Sequence, residues 1–464
     1  MRESRKPIAY MGPPLEPSEA VRVGRGGRNG AGGVFGGSRK RSRAEFLPTM
    51  CAALLLALLL TACGGEMVQD APEVPDPPQA ETPETPPEPE EPEEPGDAEE
   101  AALESLLEGL TLEEKTGQLF FVRVPAENAL EDVTTYHLGG YLLFGRDTQE
   151  KTANDLIQTI ASWQAQAVRY DTGVPLLIGV DEEGGSVVRV SSNPKLRSKK
   201  FSSPGKLWKE GLDALLRETR EKSILLKTLG FNVNLAPVAD VSINSGDFIY
   251  DRTTGMDAEE TADYTARVTE AQSFYGLGSV LKHFPGYGNN KDTHTGVAVD
   301  ERSMEKFLEQ DFLPFQAGIA VEETVWPSGE LRRLRPAVLV SHNIVSCMDP
   351  ELPASLSPEV HRILREDLGF DGVVMTDDLA MDAVKAYAAE GNVAVMSIQA
   401  GNDLVVTTDY RTQIPRVIEA VKAGSLDEAA VDAACCRVLR WKVELGLLEL
   451  SEIGTLAPTV LPQG

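Results

Sequence analysis

The sequence has 464 residues, 42% of them hydrophobic, and a formal charge of -28. That length accommodates one large domain or two to three average ones, and that charge excludes a surface built to grip a nucleic-acid backbone. Five cysteines occur without a C-x-x-C spacing, which argues against a structural zinc site.

The first 63 residues read as an extension followed by an export signal. Residues 1 to about 37 are rich in Gly and Arg and show no periodicity. A basic stretch at 38–43 precedes an unbroken apolar run at 50–60, and Thr61-Ala62-Cys63-Gly64 follows. Basic, then short apolar, then small residues is the layout of a secretory signal. The run is short for a hydrocarbon core of about 30 Å. Leu60-Thr61-Ala62-Cys63 resembles a bacterial lipobox. The resemblance implies a lipid on Cys63 and an exported protein attached to the outer face of the cell membrane.

Residues 64–101 form a different region. Within 64–100 there are ten prolines and fourteen acids and no Lys or Arg. Such a chain buries no core, so the expectation is a disordered, extended linker. The folded domain is expected at 102–450, with a tail at 451–464.

Within 102–450, eight short apolar runs alternate with amphipathic segments: 119–124, 139–144, 176–180, 231–235, 280–282, 337–340, 373–375 and 403–406. Buried parallel strands have this composition because both faces of the sheet are covered. Thr111-Leu112-Glu113-Glu114 fits a capping box, and Ser357-Pro358 an N-cap followed by proline at the first helical position. Eight βα units in this length predict an α/β fold, a (β/α)8 TIM-type barrel. A doubly wound sheet is the alternative, but no Gly-rich phosphate turn follows the first run. Cys435 and Cys436 read as small core residues of a late helix.

A barrel places its chemistry where strands end. The run at 176–180 ends in Asp181-Glu182-Glu183, and 231–235 is followed by Asp240. The run at 280–282 ends in His283, 337–340 in Ser341-His342, and 373–375 in Thr376-Asp377-Asp378. Asp377 is a candidate nucleophile, since two carboxyl-type groups flanking an anomeric carbon cleave glycosidic bonds. The competing reading is a helix cap, for which Asp378 fits better, before a helix expected near Leu379. Asp292-Thr293-His294 follows the fifth run. An aspartate two residues from a histidine can fix its tautomer and raise its basicity, giving a proton donor and acceptor near neutral pH. The competing reading is a surface turn. A metal site from His283, Asp292, His294 and Asp377 is conceivable, but Lys282 beside His283 disfavours it, and no metal or cofactor is expected.

Four segments then form a recognisable pattern: Ile178-Gly179-Val180-Asp181-Glu182-Glu183-Gly184-Gly185 with Arg189; Asn234 to Val241; Lys282-His283-Phe284-Pro285-Gly286-Tyr287-Gly288 with Asp292-Thr293-His294; and Leu368 to Asp378. Together they resemble glycoside hydrolase family 3, and its single-barrel β-N-acetylhexosaminidase branch in particular. The resemblance implies a carbohydrate substrate and a retaining mechanism, with Asp377 as nucleophile, His294 as acid/base and Asp292 as its partner. It implies that Asp181, Arg189, Arg252, Lys282 and His283 bind sugar hydroxyls. Tyr287 and Asn289 depart from the family pattern, which has His and Asp there in many members. Three alternatives stay open at this stage: a β-N-acetylglucosaminide phosphorylase, a β-glucosidase-type member, and a non-catalytic sugar-binding lipoprotein. The charged stretch 322–335 reads as a surface insertion that modifies substrate access.

Overall fold

The computed structural model describes residues 95–290, 296–388 and 392–450. Cys63, most of the expected linker, Asp292, His294 and the tail from 451 lie outside them.

Each of the eight apolar runs forms a strand: β1 Phe120–Arg123, β2 Gly140–Leu143, β3 Leu177–Val180, β4 Val233–Asn234, β5 Gly278–Phe284, β6 Ala337–Val340, β7 Val374–Thr376 and β8 Val405–Thr407. They pair in parallel in the order β8-β1-β2-β3-β4-β5-β6-β7. A parallel bridge between Met375 and Leu404 joins the two ends, and the Thr376 N–H donates to the Leu404 carbonyl at 3.0 Å. The sheet therefore closes, which makes a TIM-type barrel and removes the doubly wound alternative.

Alternation along the strands builds two apolar layers. Phe121, Leu142, Leu177, Val233, Val280, Leu339, Met375 and Val406 form one buried cluster, and Phe120, Val122, Tyr141, Ile178, Val180 and Val405 belong to another with the surrounding helices. Burying each such side chain contributes roughly 1.5–3 kcal/mol. Gly179 on β3 makes room for a ring: a β-carbon there would stand 2.3 Å from Phe121 Cζ. Helix Glu428–Glu444 carries Trp441 and, one turn on, Leu445 into the first of these clusters, and Trp441 Nε1 donates to the Arg335 carbonyl at 3.0 Å. A β-carbon on Gly278, the first residue of β5, would meet Trp441 at 3.0 Å. This helix end thus plugs the face where the strands begin and leaves the opposite mouth open. Cys435 on the same helix is fully buried and Cys436 half-buried, both with free thiols.

Both helix-start signals form as expected. The Glu114 N–H donates to Thr111 Oγ1 at 3.2 Å and the Thr111 N–H to Glu114 Oε2 at 2.7 Å; the Val360 N–H donates to Ser357 Oγ at 3.3 Å. Three local expectations change. Helix Pro95–Gly109 begins inside the stretch assigned to the linker by composition. Proline suits a first helical turn, Leu103 is buried in the outer cluster, and Glu100 pairs with Arg440. The helix after β7 starts at Asp382, not near Leu379, because Asp378 Oδ1 first accepts the Ala380 N–H at 2.9 Å and closes a turn. Finally, 322–335 is a hairpin of Glu323–Val325 with Leu331–Arg333 that leads into the start of β6. Its Trp326 packs against Gly276, just ahead of β5, and Gly446, just past the last helix. It lies at the plugged end, so it does not border the mouth.

Candidate active site

The strand ends open onto a cavity of about 680 Å3. Asp181, Arg189, Arg252, Lys282, His283 and Asp377 all line it. The structure thus brings together all six of the expected site residues that it describes. Asp292 and His294 follow β5 in sequence and lie outside the described residues.

The acidic triplet after β3 divides its work. Asp181 faces the cavity and accepts from Lys282 Nζ at 2.6 Å. Glu182 points the other way and is buried. Its carboxylate accepts the N–H groups of Arg189 at 2.8 Å, Val190 at 2.7 Å and Ser191 at 3.2 Å, and the Ser191 hydroxyl, so it pins the loop that presents Arg189. Glu183, also buried, takes a fork of two bonds from Arg252, at 3.0 Å from Nε and 2.8 Å from Nη2, and a third contact at 2.6 Å from Lys282 Nζ. Burial alone would raise its pKa, but Arg252 and Lys282 outweigh it and hold the carboxyl well below the usual range. Burial also disfavours the charged forms of Lys282 and Arg252; Asp181 and Glu183 for the lysine, and Glu183 for the arginine, keep both pKa values raised. The result is a fixed lattice of charges whose hydrogen-bonding edges border the cavity.

His283 completes that lattice. Its Nδ1 lies 2.7 Å from Asp240 Oδ2, and its Nε2 lies 3.1 Å from Arg252 Nη2. A guanidinium only donates, so Nε2 accepts and Nδ1 carries the proton toward Asp240. The other Asp240 oxygen accepts the Tyr287 N–H at 2.7 Å, which ties the loop after β5 to the same carboxylate.

Asp377 stands one residue beyond β7. Its N–H donates to the Val340 carbonyl at 3.0 Å, and its Oδ1 accepts the Asp378 N–H at 2.8 Å. Burial opposes ionisation here too, but the imidazoles of His342 and His283, the Asp378 N–H and Lys282 outweigh it and lower the pKa. Neighbouring Asp378 is the contrast: burial raises its pKa, and it bonds to Ala380 and, at 3.3 Å, to Arg123. One of two adjacent aspartates is thus kept ionised while the other shapes the turn. Fully buried His342 lies 3.1 Å from the Asp378 carbonyl through Nε2 and 2.7 Å from Ser355 Oγ through Nδ1, which steadies the turn. Among the described residues no group of three or more His, Cys, Asp or Glu is placed to hold a metal ion.

Residues 111–441 match the family model described as the glycosyl hydrolase family 3 N terminal domain. The chain belongs to glycosyl hydrolase family 3. The chain is 30% identical over 358 residues to the beta-hexosaminidase LpqI of Mycobacterium tuberculosis, covering 74% of this chain and 85% of that one. A solved structure of M. tuberculosis LpqI superposes with a TM-score of 0.62 at 28% identity, covering 74% of this chain and 96% of that one. A glycoside hydrolase family 3 beta-N-acetylglucosaminidase from Paenibacillus superposes with a TM-score of 0.65 at 27% identity; 76% of this chain is covered, and it spans 65% of that longer chain.

Of the residues that organise this family 3 site, sequence reasoning gave Glu183, Asp240 and His342 a place at strand ends but no role, and it did not single out Arg123. What it does not reveal is that Glu183 pairs with two cations while Glu182 serves the backbone. Arg123 ends β1, lines the cavity and stacks on Phe144, 3.8 Å from guanidinium carbon to ring centroid.

Proposed function

We propose that this family 3 barrel is a retaining β-N-acetylhexosaminidase that removes β-linked N-acetylglucosamine from the non-reducing end of cell-wall or chitin-type oligosaccharides. The observation that carries this reading is Asp377: a carboxylate fixed at the mouth on two sides, held ionised, beside a ready-made array of sugar-hydroxyl partners. The family membership and the beta-hexosaminidase names of the relatives support the substrate class.

In this reading Asp181, Arg189, Arg252, Lys282 and His283 grip the hydroxyls of the terminal sugar by charge-assisted bonds. The Asp377 carboxylate attacks the anomeric carbon and forms a glycosyl ester, while His294 gives its proton to the leaving oxygen. Asp292 orients that imidazole and stabilises its charged form. Neutral His294 then takes a proton from water as the water attacks the ester, releasing Asp377 and the sugar with its configuration retained. The lowered pKa of Asp377 keeps the nucleophile charged at neutral pH. The lipobox-like segment supports attachment of the domain to the outer face of the cell membrane through Cys63. Incorporation of a fatty-acid label that Cys63→Ala abolishes is the expected result; label retained in that variant contradicts it.

The functional test is turnover of a chromogenic N-acetyl-β-glucosaminide, with and without added phosphate. Hydrolysis is expected without phosphate, and Asp377→Asn is expected to remove turnover while sugar binding persists. Turnover retained in Asp377→Asn, or no turnover by the wild type between about pH 5 and 8, overturns the reading.

A further inference from the structure

We propose that Phe248 is the platform for the leaving-group sugar, so that the enzyme is built for a β-linked disaccharide or longer chain and not merely for one terminal residue. This rests on the hexosaminidase reading of the same cavity and goes beyond it.

Among the described residues, the strongly exposed aromatic side chains are Tyr170 and Phe248, and of these Phe248 lines the catalytic cavity. Phe248 is 44% exposed, whereas the next residue, Ile249, is fully buried. The loop between β4 and the following helix therefore has an apolar residue anchored in the core and still turns a second one outward. That loop is held by its own bonds: Asp247 accepts from Ser242 Oγ at 2.8 Å and Asn244 Nδ2 at 3.1 Å, and its N–H donates to the Asn244 carbonyl at 3.0 Å. The exposed ring is thus presented by a braced turn.

The ring is also supported from below. Phe248 and Tyr287 lie 5.8 Å apart between centroids, tilted by 39°, and Tyr287 meets His283 edge-on at 5.7 Å. Tyr287 is only 3% exposed, and Asp240 holds its N–H. Three rings thus run from the rim down to a hydroxyl-binding histidine. An aromatic ring at 287 thus backs the ring at 248.

The side of the cavity follows from depth. Lys282 and His283, which hold the terminal sugar under the proposed mechanism, are buried, whereas Phe248 is half-exposed on the same cavity. A terminal sugar seated on the buried residues directs its leaving group outward, to the level of the Phe248 ring. A β-linked pyranoside ring presents axial C–H groups on its faces, an apolar surface that an aromatic ring covers without needing hydrogen bonds. A partly exposed phenylalanine matches that demand, while charged residues crowd the neighbouring hydroxyl-binding subsite. Covering the exposed part of the ring corresponds to a factor of about 10–40 in kcat/KM.

The test compares a β-1,4-linked N-acetylglucosamine disaccharide with methyl N-acetyl-β-glucosaminide, which has an alkyl leaving group but no second ring. In Phe248→Ala the ratio of kcat/KM for disaccharide over methyl glycoside is expected to fall about tenfold or more, mostly through KM, with the melting temperature unchanged. Phe248→Tyr is expected to restore the ratio. A ratio within twofold of wild type in Phe248→Ala, or a loss shared equally by both substrates, overturns the assignment. If the wild type cleaves neither glycoside, the hexosaminidase reading falls on its own. Calorimetric binding of the disaccharide to Asp377→Asn then decides the platform separately: added Phe248→Ala weakens binding about tenfold if the assignment holds and leaves it unchanged if it does not.

Discussion

Replacing Glu183 with Gln is the sharpest perturbation of the charge lattice. Glu183 is buried between two cations, with side-chain exposures of 1% for Glu183, 3% for Lys282 and 16% for Arg252. The amide keeps the shape but removes the negative charge. Lys282 retains Asp181 at 2.6 Å, whereas Arg252 loses its forked partner and is left facing a neighbouring lysine. Breaking a buried ion pair from one side costs about 3–5 kcal/mol, a large share of a typical net stability of about 5–15 kcal/mol. The expected loss in melting temperature at pH 7 is on the order of 5–10 °C. The effect depends on pH in a definite sense. The folded-state pKa of Glu183 lies below its unfolded value, so its contribution is fully present above about pH 4.5 and is lost as the pH falls toward the folded value. The gap between wild type and Glu183→Gln should therefore narrow below that pH. Thermal unfolding of both proteins from pH 7 to about pH 3 measures it, and kcat/KM should fall roughly a hundredfold because Arg252 and Lys282 lose their register. Melting temperatures within 1 °C at pH 7, or a gap that widens in acid, would refute the reasoning.

Other expectations follow from the same contacts. Asp240→Asn, whose single oxygen can stay on the Tyr287 N–H only by turning the NH2 group toward His283 Nδ1, should disturb the imidazole tautomer and lower kcat/KM by about tenfold to a hundredfold with circular dichroism unchanged; unaltered kinetics would show that the tautomer does not matter. Lys442 is fully buried, with its Nζ 2.6 Å from Gln118 Oε1, and burial lowers its pKa to about 7. The unfolded lysine keeps its proton to higher pH, so wild-type stability should rise from pH 7 toward pH 9. Urea midpoints of Lys442→Met should lack that rise. Trp326→Ala should lower stability by about 3 kcal/mol in denaturant titration but leave KM unchanged, because the hairpin lies opposite the mouth; a changed KM would contradict that placement.

The barrel was legible because its determinants are local and periodic. Eight Val/Ile/Leu/Phe-rich runs must be buried on both faces, and a closed parallel barrel does that. Thr111 and Ser357 announced helix starts through side-chain bonds that span only three residues. Position along the strands put Asp181, Lys282, His283 and Asp377 at one cavity, and the family resemblance added Arg189 and Arg252. What was not legible depends on partners distant in sequence. Glu182 and Glu183 are chemically equivalent neighbours, and only the fold decides that one meets three backbone N–H groups while the other meets Arg252 and Lys282. The hairpin at 323–333 reads as surface from its charge, but its end of the barrel depends on Trp326 reaching Gly276 and Gly446. Helix Pro95–Gly109 is masked by the acidic, proline-rich composition before it, and Leu103 and the Glu100–Arg440 pair anchor it only once the last helix is in place.

The central claim is that Asp377 is the nucleophile of a retaining mechanism. A fluorinated N-acetyl-β-glucosaminyl fluoride that forms its glycosyl ester quickly and releases it slowly tests this directly. After inactivation and proteolysis, mass spectrometry should find one added sugar, carried by the peptide containing Asp377 and absent in Asp377→Asn. A sugar on a different residue, or an active enzyme that releases the inverted anomer and forms no adduct, would contradict the account.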